Sequence, residues 1–120
     1  MLENTNKESR SSKRVSVLLK GNYRIEDTDF PFAVMTAVNI NESGICMATD
    51  EPIADGRTIE LNIILPNRDQ LALVAQSVWS TNLGHTSLFR TGLKILNTQS
   101  PDFEKFQSFY QERLISPPAV

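Results

Sequence analysis

Two short stretches of this chain hold residue types that could grip a ligand. The first is RSSKR, Arg10 to Arg14, with two arginines four residues apart on a polar segment. Each guanidinium offers five donors in a planar fork, suited to bidentate contact with phosphate or with the O6/N7 edge of guanine. The second is NINESG, Asn39 to Gly44. Asn39 and Asn41 carry amides that both donate and accept, and residues two apart on a strand share a face. Gly44 permits a tight turn and lets a ligand approach the backbone. Taken singly, each stretch has an ordinary explanation, a solvated basic terminus and a polar hairpin turn. Together they supply cationic forks and directional amides, the two kinds of group that a guanine nucleotide with phosphates requires.

Material for catalysis is scarce. The single histidine, His85, sits in a polar loop between Gly84 and Thr86, with no orienting partner or nucleophile in view. The single cysteine, Cys46, lies between Ile45 and Met47 and reads as a small core hydrophobe. It has no partner for an internal disulfide, and no Cys/His spacing suggests zinc. The acidic residues are scattered and no glycine-rich phosphate loop is present. The expectation is a binding protein, not an enzyme, with no metal and no cofactor.

The elements that would hold the two stretches can be read from the pattern. Residues 1–13 contain almost nothing to bury and are expected to form a flexible arm. Residues 14–116 are expected to form one domain. Runs rich in β-branched and aliphatic residues follow the arm: 15–25, 32–40, a short piece 45–48, 58–66, 71–80 and 88–96. In the fourth, Ile59, Leu61, Ile63 and Leu65 alternate on one face. In the last, Gly92 suggests a bend or a close backbone approach. Trp79, at a strand end among apolar residues, is expected to pack in the core or at its rim. From Ser100 the period changes. Ser100 is a plausible N-cap, Pro101 suits the first helical position, and Phe103, Phe106, Phe109/Tyr110 and Leu114 form a helical stripe. Six strands and then one helix, about 101–115, imply a small antiparallel β-barrel or sandwich capped by a helix.

Charge is distributed unevenly. The net charge is −2, but residues 1–14 hold Lys7, Arg10, Lys13 and Arg14 against Glu3 and Glu8, a net +2, leaving −4 for the rest. That balance argues against a nucleic-acid polymer as partner. A polar N-terminus without an apolar run, no stretch able to cross a bilayer and one unpaired cysteine point to a cytoplasmic protein without membrane insertion.

The order of these features resembles the PilZ domain family, bacterial receptors for cyclic di-GMP, whose signature is RxxxR followed by (D/N)xSxxG. Arg10 to Arg14 matches the first element, and Asn39 to Gly44 matches the second except that Asn41 stands at the serine position. TIELNIILP, SVWS with Trp79 and RTGLKIL also look like the family's later strands, so the likeness spans roughly residues 8–110. It implies a six-stranded antiparallel β-barrel with one C-terminal helix, and an arm that folds over cyclic di-GMP on the barrel's outer surface. On this sequence Arg10 and Arg14 would hold phosphates and stack on bases, and Asn39 would bond a guanine edge. Asn41 would replace the serine, and Gly44 would keep the turn open. Ser9, where an extra arginine accompanies a stacked ligand pair, points to one ligand per domain.

The implied function is a cyclic di-GMP receptor that orders its arm on binding and signals to an unidentified protein partner in motility, exopolysaccharide or adhesion control. The alternative is an interaction adaptor of the same fold that no longer binds nucleotide, which Asn41 favours and the Arg10/Arg14 pair opposes. A small barrel that binds single-stranded nucleic acid would want a basic groove with exposed aromatics, and no such strand is present. The oligomeric state is left open, with a monomer favoured.

Overall fold

A computed structural model describes residues 13–84 and 87–115. Residues 1–12 with Arg10, His85 with Thr86, and the tail 116–120 lie outside the described residues. Six strands follow one another: β1 (Val15–Ile25), β2 (Ala33–Ile40), β3 (Gly44–Thr49), β4 (Thr58–Ile64), β5 (Gln70–Asn82) and β6 (Phe89–Ile95). One helix, α1 (Pro101–Ile115), ends the described chain. The strands close into an antiparallel barrel in the order β1-β2-β3-β6-β5-β4, with β4 returning to β1. Closure leaves no free sheet edge, which removes the pairing hazard that an open sheet of this size would carry.

Alternation explains the interior. Val17 and Leu19 of β1, Ile59, Leu61 and Ile63 of β4, and Leu71, Leu73 and Ala75 of β5 point inward and are buried. The period breaks at two places that matter for the outer surface. Register shifts on β2 between Ala37 and Asn39, where β3 advances by only one residue. Met35 and Ala37 are buried before the break and Ile40 after it, so the extra residue turns Asn39 outward. On β5 the shift falls between Ser77 and Trp79. Ser77 is buried, while Val78 and Trp79 both face out. Without these two bulges, both Asn39 and Trp79 would point into the barrel.

The helix is where the sequence places it. The Phe103 N–H donates to Ser100 Oγ at 3.1 Å, the N-cap bond. Phe103, Phe106, Phe109 and Tyr110 are buried against the barrel. The loop into α1 and its first turn also complete β5 beyond the reach of β6. The Ala72 N–H donates to Asp102 Oδ2 at 2.8 Å, and the Val74 N–H donates to Asn97 Oδ1 at 2.9 Å. Asp102 thus closes a strand as well as favouring the helix dipole.

Candidate functional site

Strand register draws one row of residues across the outer face of the barrel. Ser16 on β1 pairs with Asn39 on β2, Asn39 with Cys46 on β3, Cys46 with Gly92 on β6, and Gly92 with Trp79 on β5. An open cavity of about 150 Å³ lies on this row. Arg14, Asn39, Asn41 and Gly44 line it, so four of the five residues expected to hold a ligand share one wall. Arg10, the fifth, lies outside the described residues. Cys46, Gly92 and Trp79 also line it, with Ile45, Val78 and Leu93.

Each position has a local cause. Asn39 owes its outward aim to the β2 bulge. Asn41 closes the turn between β2 and β3: its N–H donates to the Gly44 carbonyl at 3.0 Å, and its Oδ1 accepts the Ser43 N–H at 3.0 Å. This is an Asx turn, one that a serine hydroxyl can also form. Asn41 Oδ1 is therefore occupied, and its Nδ2 is the atom able to donate to a ligand.

Gly44 departs from the sequence reading. Positive φ angles occur at Gly56 and Gly84, not at Gly44, so no left-handed backbone requires a glycine there. Space does. A Cβ at Gly44 would come 3.0 Å from the Leu93 carbonyl oxygen and 3.1 Å from Asn41 Oδ1, pressing on the amide that shapes the turn. Gly92 plays the matching part on the other wall, since a Cβ there would fall on the Trp79 indole. The indole sits against the bare β6 backbone, a close approach that only glycine allows.

Trp79 is thus neither in the core nor hidden at its rim. It is 37% exposed on the cavity wall, where a base could stack on it. Cys46 is buried as expected but in another place. It faces the cavity on the outer side, while its neighbours Ile45 and Met47 face the core. Burial pushes its thiol above the ordinary value, and the nearby Arg90 and Arg14 with a hydrogen bond to Asn39 pull only partly against that. Arg90, two register positions from the row on β6, carries no signal in the sequence that marks it. Among the described residues no carboxylate is ion-paired with Arg14 or Arg90. The two cations are free to meet an anion.

The root of the arm is tied down. Tyr110 Oη of α1 donates to the Lys13 carbonyl at 2.7 Å, just before Arg14. Among the described residues no group of acidic, histidine or cysteine side chains could hold a metal ion. No described helix is long and apolar enough to cross a membrane.

No family model matches the sequence, and no curated protein matches it. Solved structures do match, and what they share with this chain is the PilZ-type fold, a closed six-stranded barrel with a C-terminal helix. One is the PilZ domain with c-di-GMP of YcgR from Escherichia coli, at 12% identity and a TM-score of 0.65, covering 90% of this chain and 97% of that one. Another is the Bacillus subtilis inhibitor of motility MotI/DgrA, at 16% identity and a TM-score of 0.73, covering 92% of this chain. This chain spans about half of that structure's length, 53%.

Proposed function

We propose that this protein is a cyclic di-GMP receptor of the PilZ type without catalytic activity, in which residues 1–13 form an arm that closes over the nucleotide. The observation that carries the reading is the convergence of Arg14, Asn39, Asn41 and Gly44 on one cavity beside an exposed tryptophan. Support comes from the fold shared with the nucleotide-bound PilZ domain of YcgR. Arg14 and Arg10 would fork onto phosphate or guanine, Asn39 would bond a base edge, and Asn41 would donate from Nδ2. Trp79 would stack beneath a base, and Arg90 would add charge opposite Arg14.

The cavity is small beside the roughly 300–1,000 Å³ of sites that enclose a whole ligand. It is a shelf for part of a dinucleotide, and the arm would supply the other side. Ordering the arm would change the surface shown to a protein partner, a disorder-to-order switch. That partner would belong to motility, exopolysaccharide or adhesion control in a bacterial cytoplasm.

Calorimetric titration of the full chain with cyclic di-GMP tests the reading. The expected result is saturable heat at micromolar or tighter Kd, one ligand per domain, and a loss of at least about tenfold in affinity in Arg14→Ala, the scale of a lost charged hydrogen bond. The melting temperature should be unchanged, since Arg14 is exposed. A folded wild type that gives no heat would leave the nucleotide-free adaptor as the function.

A further inference from the structure

The barrel carries a second and larger depression, of about 420 Å³, at the far end of the same strands. The nucleotide cavity sits at the start of β1, the end of β2 and the start of β3. This groove sits at the end of β1, the start of β2 and the residues just after β3. At about 3.3 Å per residue, the length of β1 puts the two roughly 30 Å apart. Tyr23 lies at its base, and Phe30 and Val34 form its apolar side. Phe30 is 74% exposed and Val34 78%, large apolar surfaces that water solvates at a cost.

The groove is built in advance. The Thr28 hydroxyl donates to the Ile25 carbonyl at 2.7 Å, and Asp27 takes the left-handed conformation that turns the loop. Pro31 stiffens the return to β2. The guanidinium of Arg24 is already engaged, 3.0 Å from Glu60 and stacked at 4.9 Å over Phe32.

Its opposite rim is acidic. Asp50 and Glu51 line it, and both lie close enough to Tyr23 to add to the burial that raises that phenol. Glu26, Asp27 and Asp29 follow in the adjoining loop. Arg57 reaches toward this end but is held on the Glu26 carbonyl. The carboxylate rim repels nucleic acid and anionic lipid, and together with the apolar side it favours a segment that is both cationic and apolar.

We infer that this groove is a docking site for a partner protein, taking a segment in which leucine- or phenylalanine-type side chains alternate with lysine or arginine. An apolar side chain of the segment seats between Phe30, Val34 and Tyr23, and a neighbouring cation meets Asp50 and Glu51. Strands β1, β2 and β3 join this groove to the cavity at their other ends. The inference stands on the groove alone and does not need the nucleotide reading.

The probe is a labelled peptide in which leucine and lysine alternate, titrated into the full chain by fluorescence anisotropy, with an alternating leucine–glutamate peptide as its counterpart. The expected result is saturable binding of the lysine peptide, weakened about tenfold or more by Phe30→Ser, the scale of a lost apolar anchor. Glu51→Lys should weaken binding of the lysine peptide and narrow its preference over the glutamate peptide, since Asp50 remains on the rim. Both residues are exposed, so both variants should fold, and Val34→Thr gives a second reading of the apolar side. Equal binding of both peptides, or binding that none of the three variants alters, overturns the inference. So does a wild type that sediments as a dimer and becomes monomeric in Phe30→Ser, since the occupant would then be a second copy. Arg14→Ala should bind the peptide as the wild type does, which separates a failure here from a failure of nucleotide binding.

Discussion

Cys46 is the single thiol of the chain and lies directly beneath the candidate nucleotide shelf, which makes it a reporter of occupancy. Attack on a disulfide reagent needs the thiolate and a path to it, and burial restricts both. A base resting on Trp79 and hydrogen-bonded to Asn39 would cover what path remains. We expect slow reaction of Cys46 with an aromatic disulfide in the free protein, slowed further and saturably by cyclic di-GMP. Arg14→Ala should remove the protection. An unchanged rate at saturating nucleotide, followed by absorbance of the released thiol, would place the ligand off this row. At this scale the sequence was informative where residue types carry chemistry in themselves. Arg14, Asn39, Asn41 and Gly44 stand in a recognisable order, and the structure brings them to one wall. Trp79 and Cys46 could not be read so, because both sit in apolar company that signals a core. Only the direction of the side chain distinguishes a core residue from a cavity floor.

That direction is decided by the elements. An extra residue at Val38 and another at Val78 change the phase of β2 and β5, and no residue type announces either one. Strict alternation from Leu71 through Ser77 carries Trp79 inward, whereas the bulge carries it out onto Gly92. Gly92 was the one trace left in the sequence, a bare backbone awaiting a close neighbour. The helix was legible in full, since Ser100, Pro101 and the phenylalanine stripe state its start and its buried face independently. What the stripe did not reveal is that Tyr110 reaches past the core to the root of the arm. Tyr110→Phe keeps the ring and removes the donor to the Lys13 carbonyl. The expected cost is about 1 kcal/mol of stability by urea denaturation, the ordinary value of one such bond. Calorimetry should show a several-fold loss of cyclic di-GMP affinity as well, because Arg14 is then held less firmly over the shelf. Stability lost with affinity unchanged would confine the Tyr110 hydroxyl to stabilising the fold.

The whole molecule has a predictable weakness at alkaline pH, set by two groups at opposite ends of the barrel. The Cys46 thiol is raised from an ordinary 9.0, chiefly by burial. The Tyr23 phenol is raised from an ordinary 10.0 by burial and then by Glu51 and Asp50, with the hydrogen bond to Thr49 opposing. In the unfolded chain both groups release their protons near those ordinary values, while the folded chain retains them to higher pH. The folded state then binds more protons than the unfolded one, so stability falls as pH rises. It is fully present below pH 9, declines first through the thiol and then through the phenol, and the loss is complete above both folded values. Thermal unfolding of the wild type from pH 8 to pH 11 should therefore show a falling midpoint from about pH 9. Cys46→Val should remove the earlier part of the fall, and Tyr23→Phe the later part. Parallel curves for all three proteins would mean that neither group is held protonated by the fold. Separate corrections by the two variants would show that each end of the barrel excludes water from its own buried acid. Nucleotide seated over Cys46 should deepen that exclusion, carrying the thiol's part of the decline on to higher pH and leaving the Tyr23 part unchanged.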